Sequence, residues 1–259
     1  MKNKKISIAF LVIGTISSLF FSACKKDVAG PTGPQGPSGP AFTGSITGFV
    51  SLYDQYGTKL TTNVSNVKVS IDNTTQSSLT DNTGKYSFSS LGTGSYNLSI
   101  TDSLYGADKV QNIALLTGQS NHDVKLSAIP TFNLLSVTAV DTVESSVNYV
   151  KVRGTVAADI KAREVVVFFG TASTVSSNPA NYTLVYSKAI AANSSTFFVL
   201  IPVSDLYGAG LTTGSFAYFS AYPAAVSFSS TSSYEDLNTG KTVYNAIGTT
   251  PLAANISIP

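Results

Sequence analysis

The chain has no tryptophan, one cysteine and one histidine among 259 residues, and only 12% of its residues are charged. Each shortage excludes a chemistry. A single histidine, His122, rules out any metal site built on two imidazoles. It leaves a Ser-His-Asp triad dependent on "SNHDV", where Asn121 and Asp123 read as turn residues around a solvated loop histidine and no nucleophile elbow is present. A single cysteine leaves no intramolecular disulfide, so an exported form must rely on its apolar cores. Carboxylates are sparse too. Glu235 and Asp236 form the one adjacent pair, and neighbours in a strand point apart, so no glycosidase pair can be nominated. The run Asp81-Asn82-Thr83-Gly84 lacks the later bidentate glutamate of a calcium loop and reads as a turn. No glycine-rich stretch carries the Gly-Lys-Ser ending that cradles phosphate. The chain is therefore read as a non-enzyme, with no catalytic residue, no cofactor and no metal site.

What is present begins with the first two dozen residues. Lys2, Lys4 and Lys5 precede an uncharged apolar run over residues 6–21, and the small residues Ser22 and Ala23 stand before Cys24. This is the layout of a secretory signal with a cleavage site. Gly14, Thr15, Ser17 and Ser18 weaken the run as a membrane-spanning helix, which needs about 20 apolar residues. The stretch "FFSACKKD" resembles the bacterial lipoprotein box, with Phe21 where that family usually has leucine. The resemblance implies that residues 1–23 are removed and that Cys24 carries lipid on its thiol and its new amino terminus. The several acyl chains of such an anchor hold a protein stably, whereas one is marginal. Losing the three signal lysines takes the 16 basic residues to 13 against 14 acidic ones, a net charge of −1. No basic footprint for nucleic acid remains.

From Cys24 onward the composition favours strands and turns. Residues 30–41, "GPTGPQGPSGPA", repeat glycine every third place, but four triplets are few for a collagen triple helix. Residues 24–44 read as an extended tether, with trimerisation as the other reading. The first folded unit, residues 45–129, shows short alternating strands: Val67, Val69 and Ile71 against Lys68, Ser70 and Asp72. The turn "TDNTGKYSF" is expected to join Leu79 and the Tyr86 and Phe88 pair as neighbours in a hairpin, with Gly84 at positive φ. Gly92 and Gly94 turn the chain again, and Tyr96, Leu98 and Ile100 point one way. The order "GFVSLYDQYG", "VKVSI", "LTDNTGKYSFSSLGTGSYNLSI" resembles the carboxypeptidase regulatory-like domain, which implies a transthyretin-like β-sandwich with a binding, spacing or stabilising role and no peptidase activity.

The second unit, residues 131–259, alternates Val150, Val152 and Val156 with Lys151, Arg153 and Thr155. "EVVVFFG", "STFFVLIPV" and "GSFAYFSAYPA" are apolar on both faces, as in strands covered twice. About seven strands point to an immunoglobulin-like sandwich. The run "GSFAYFSAYPAAV…TGKTVYNAIG" resembles the late strands of fibronectin type III-like domains. The expected fold class is all-β, two tandem β-sandwich domains behind a lipoprotein signal peptide and a Gly/Pro tether. The units are expected to separate at Ile129-Pro130, with almost no helix. The expected function is that of a non-enzymatic, lipid-anchored envelope protein, most simply of the outer membrane, with the membrane as partner through its lipid and a glycan or envelope protein as a further one. The alternative is a glycan-binding accessory lipoprotein using exposed tyrosines, drawn from Tyr182, Tyr186, Tyr207, Tyr218, Tyr222, Tyr234 and Tyr244. Asp102-Ser103-Leu104 and Asp141-Thr142-Val143 resemble the O-glycosylation acceptor of Bacteroidetes, which implies Ser103 and Thr142 as modification sites.

Overall fold

The computed structural model describes residues 42–259, so the signal, Cys24 and nearly all of the tether lie outside the described residues. Eight strands build the first sandwich: β1 (Thr43–Tyr53), β2 (Lys68–Ile71), β3 (Ser77–Leu79), β4 (Lys85–Gly92), β5 (Gly94–Thr101), β6 (Asp108–Leu115), β7 (Gly118–Asn121) and β8 (Val124–Ser127). One sheet has the order β3-β2-β5-β6. The other places β1 between antiparallel β4 and a broken strand, β7 then β8, that runs parallel to β1 along its other edge. Val67, Val69 and Ile71 point inward, as their alternation requires, to meet Ile46, Val50, Leu98, Ile100 and Leu126 in a single core. A fully buried aliphatic side chain contributes about 1.5–3 kcal/mol, which is what holds two sheets this small together.

The expected hairpin between Leu79 and Tyr86 is absent. Leu79 lies in β3, paired with β2, and Tyr86 lies in β4, paired with β1, so the turn between them crosses from one sheet to the other. Thr80 makes the crossing. Its buried hydroxyl accepts from the Val67 amide at 3.0 Å and donates to the Val64 carbonyl at 2.9 Å, leaving Leu79 outside and 59% exposed. The Asp81 carboxylate then accepts from the Thr83 amide and hydroxyl and from the Lys85 amide. Gly84 does adopt a left-handed φ of 84°, and a Cβ there would stand 2.5 Å from the Val50 carbonyl oxygen. The turn chemistry is the expected one, and the topology differs because the turn joins two sheets. Strands β4 and β5 likewise flank Gly92–Gly94 but belong to opposite sheets.

The second sandwich has β9 (Leu134–Glu144), β10 (Val147–Val156), β11 (Arg163–Gly170), β12 (Leu184–Ile190), β13 (Thr196–Pro202), β14 (Phe216–Ala224) and β17 (Leu252–Ser257), with the hairpin β15 (Ser233–Asp236) and β16 (Lys241–Tyr244) inserted before the last strand. Three strands, β13-β10-β9, face four, β12-β11-β14-β17. Val152, Val167, Phe169, Phe197 and Phe219 fill the space between them. A six-residue helix, α1 (Val203–Gly208), seals one end with Val203 and Leu206. Strands β11 and β14 are covered on both faces, as expected. Outside the four-stranded sheet, Val166, Phe168, Tyr182, Tyr222 and Phe228 form a further apolar layer with Ala246 and Ile247. Strand β13 departs from expectation. It alternates buried Phe197, Val199 and Ile201 with outward Thr196 and Phe198, because among the described residues no segment covers the outer face of the three-stranded sheet.

The same insertion, residues 225–247, reaches the first sandwich. The Val226 amide donates to the Gln55 carbonyl, the Ser232 amide to the Lys125 carbonyl and the Asn245 side-chain amide to the Ala107 carbonyl, all at 3.0 Å. The Ser127 amide donates to the Ser232 hydroxyl at 2.9 Å, both residues being fully buried. Gly106 lies so close that a Cβ would stand 2.5 Å from the Ala246 nitrogen. Tyr56 donates to Asp159 at 2.9 Å on the other side of the junction. Ile129 donates its amide to the Leu104 carbonyl, and Pro130 is buried. A hydrogen-bonded seam thus runs between the two sandwiches, and residues 41–259 form one compact unit.

Candidate functional site

The residues singled out in the sequence scatter. Ser103 is exposed beside a turn in which the Asp102 carboxylate accepts from the Leu104 amide at 2.9 Å. Thr142 is half-buried in β9 opposite Tyr149 of β10, at the rim of a depression of about 330 Å³ that also includes Asp141 and Pro259. His122 lies, half-buried, in the two-residue connection between β7 and β8. Its Nε2 lies 2.8 Å from the Ser120 hydroxyl, its amide donates to the Thr47 carbonyl, and its carbonyl accepts from the Tyr86 hydroxyl at 2.6 Å. Burial pushes that phenol well above its usual range, which suits a permanent donor. The neighbouring Asp123 carboxylate is occupied by the Phe49 amide at 2.9 Å and Asn121, so the serine and histidine do not extend to a triad through it.

The tyrosines serve mostly as structure. Tyr182, Tyr222 and Tyr244 surround Phe168 with ring centroids 5.1–5.9 Å away, in tilted and edge-on arrangements. Tyr182 donates to the Thr242 carbonyl at 2.6 Å, and burial lifts its pKa to about 12. Tyr186 donates to Asp205, Tyr207 to the Pro259 carbonyl, and Tyr234 lies under the Lys109 ammonium group. Tyr218 is the member of the set that faces outward beside an exposed ring, that of Phe216, at 6.3 Å and 35°.

A different surface brings chemistry together. On the bare face of β13-β10-β9 the register places Thr138, Arg153 and Phe198 in one row across the three strands, and Ser136, Thr155 and Thr196 in the next. Phe198 stays 43% exposed on the edge strand β13. The Lys151 ammonium lies 4.4 Å from its ring centroid, and that of Lys188, arriving from β12 of the opposite sheet, 5.3 Å. Such contacts contribute about 0.5–1 kcal/mol each at exposed sites. The Ser136 and Thr155 hydroxyls share a 2.8 Å hydrogen bond. Glu144 is the carboxylate paired here, 3.6 Å from Lys151. The depression measures about 270 Å³ and is lined by Lys151, Arg153, Phe198 and these hydroxyls. Sequence reasoning placed Lys151 and Arg153 on the outer face but missed Phe198, read as part of a strand covered twice. The signal available was the period-two alternation of Thr196 and Phe198 with Phe197 and Val199.

A second depression, about 260 Å³, lies at the seam between β6 and the β15–β16 hairpin and is polar. Its charges are engaged locally: Asp72 accepts from Ser99 at 2.6 Å and lies 3.9 Å from Lys109, while the Thr239 hydroxyl holds the Asp236 carboxyl below the usual range. Among the described residues no group of three or more His, Cys, Asp or Glu side chains could hold a metal ion.

Residues 45–127 match the family model of the carboxypeptidase regulatory-like domain, so the first sandwich is a domain of that type, over the span its turn and core residues had indicated. No curated protein matches the chain. Among solved structures the chain is similar to a candidate carbohydrate-binding protein from Bacteroides uniformis, with 18% identity and a TM-score of 0.30 over 85% of this chain and all of that one. A DUF3823 family protein from Parabacteroides merdae shares 13% identity at a TM-score of 0.26 over 81% of this chain and 98% of that one. A mutant type II cohesin–X-dockerin complex from Acetivibrio cellulolyticus shares 21% identity at a TM-score of 0.29, over 32% of this chain and 57% of that one.

Proposed function

We propose that the protein is a non-enzymatic bacterial envelope lipoprotein that presents two sandwiches as one rigid body for binding or structural purposes. Residues 1–23 direct export, Cys24 carries the lipid, residues 24–44 form a tether, and the outer membrane is the destination. The seam is the observation that carries the presenting role: buried Ser127, Ser232 and Thr231 join the two halves by hydrogen bonds, so a surface on the second sandwich moves with the first. The match of the first sandwich to a regulatory-like domain supports a role without catalysis. Seven strands arranged three against four support an immunoglobulin or fibronectin type III-like second domain. The test is metabolic: labelled fatty acid enters the wild type and the membrane fraction, and Cys24→Ala loses both. Equal labelling of the variant would sink the reading.

The alternative, a glycan-binding accessory lipoprotein, is supported among the tyrosines by the Tyr218 and Phe216 pair. The structure leaves room for O-linked sugar at Ser103, which is exposed, and at Thr142, near the end of β9. Intact mass from the native host decides this: a hexose-sized excess lost in Ser103→Ala or Thr142→Ala supports modification, and a mass of polypeptide plus lipid alone rejects it.

A further inference from the structure

We infer that the bare face of β13-β10-β9 binds an anionic polysaccharide of the polyuronate class, with Phe198 as the platform and Arg153, Lys151 and Lys188 as carboxylate partners. The proposal deepens the glycan-binding reading and moves it from the tyrosines to this face. Three observations carry it. An aromatic ring left 43% exposed on the outer face of the edge strand β13 offers an apolar surface on which the C–H face of a sugar can lie. Two ammonium groups from two sheets lie over that ring and Arg153 stands opposite it on the neighbouring strand, although the mature chain as a whole is slightly acidic. Among the described residues the one carboxylate paired with them is Glu144, on Lys151, an exposed pair of the kind that contributes little and yields readily to a ligand. Beside the ring, the hydroxyls of Thr138, Ser136, Thr155 and Thr196 supply both donors and acceptors, which suits sugar hydroxyls better than a lipid headgroup.

The spacing favours a repeating anion. Lys151 and Arg153 are two residues apart on one strand, hence about 7 Å along it, and Lys188 approaches from β12 beside the β13 edge. Arg153 presents the planar fork that matches a carboxylate through two parallel hydrogen bonds, while the lysines act as point charges. The depression of about 270 Å³ is near the small end of the range for ligand sites, enough for part of a chain that continues across the open sheet face.

The experiment titrates the mature wild-type chain with polygalacturonate and with alginate, and uses fully methyl-esterified polygalacturonate as the uncharged control. At least one acid polymer should bind, at least tenfold more tightly than the ester, and weaken as salt rises. Phe198→Ala should cut affinity about tenfold with the salt dependence retained. Arg153→Gln and Lys188→Gln should each cut it several-fold and flatten that dependence. All three side chains point outward, and unchanged thermal melting confirms that folding is intact. Equal binding of acid and ester overturns the proposal, as does indifference to these substitutions or no binding of either acid polymer at millimolar uronate. Equal capture by phosphatidylglycerol vesicles, abolished by the same variants, also overturns it in favour of a membrane surface. Loss in Tyr218→Ala with Phe198→Ala unaffected overturns it while keeping the tyrosine reading. The lipid-labelling test of Cys24 stands apart from all these outcomes, so failure here does not remove the envelope reading.

Discussion

The two sandwiches are built on different plans. The first has one core and two sheets, each buried on one face; the second adds a further apolar layer outside its four-stranded sheet. Residues 225–247 close that layer with Phe228, Ala246 and Ile247, and the same segment supplies most of the seam. Covering β11 and β14 a second time and fastening the halves together are thus one structural act. Among the described residues the opposite sheet of the same sandwich has no such cover, and there Phe198 is left exposed. The lesson is that a single insertion decides which face of a sandwich becomes interior and which is left for a partner.

Removing the cover tests this most severely. Phe168→Ala deletes the ring around which Tyr182, Tyr222 and Tyr244 gather, and should lower unfolding free energy by about 3–5 kcal/mol in denaturant titration. Because the insertion would loosen with it, calorimetry should resolve two transitions where the wild type shows one. A single transition in the variant would separate the cover from the seam. Next is the first sandwich, where Gly84→Val forces a β-branched residue into a left-handed φ against the Val50 carbonyl. A loss of about 2–3 kcal/mol is expected, confined to the first half, and a variant as stable as the wild type would contradict the geometry. The seam itself is probed by Ser232→Ala, which leaves the buried Ser127 amide without its acceptor and should cost about 1–2 kcal/mol.

The smallest effect is one of pH. Burial holds the Asp108 carboxyl at about 6 in the folded protein, above its ordinary unfolded value near 4. A group raised in this way contributes stability that is fully present below pH 4 and lost as pH rises through 6, because the folded state binds the extra proton. Allowing for solvent screening, the difference is below about 1 kcal/mol. Asp108→Asn should flatten this part of the melting profile and be at least as stable as wild type at pH 7. An unchanged slope between pH 4 and 6 would assign it to another carboxyl.

How much of this could be read beforehand varies with the physics involved. Alternation at Val67, Val69 and Ile71, and the doubly apolar run of β11, were legible because side-chain direction in a strand depends on sequence alone. The sheet that each strand joins was not. Asp81 and Gly84 provide the same turn chemistry whether a turn links neighbours or crosses a core, and only the bonds of Thr80 to Val64 and Val67 distinguish the cases. The seam was hidden for a related reason: serine, threonine and glycine read as loop, yet Ser127, Ser232 and Gly106 are where two surfaces approach most closely. Lys151 and Arg153 were visible as an outward row. Lys188 joins them from another sheet, which no local pattern encodes.

The placement of β1 bears on mechanics. The chain enters the folded body at Thr43 directly into a strand held on both sides, antiparallel to β4 and parallel first to β7 and then to β8. A pull applied at that entry along the strand loads these bonds side by side, in shear, instead of peeling them one after another as it would from the end of an edge hairpin. The proposed anchoring at the amino terminus would therefore apply force to the protein in the direction in which its first sheet is hardest to open.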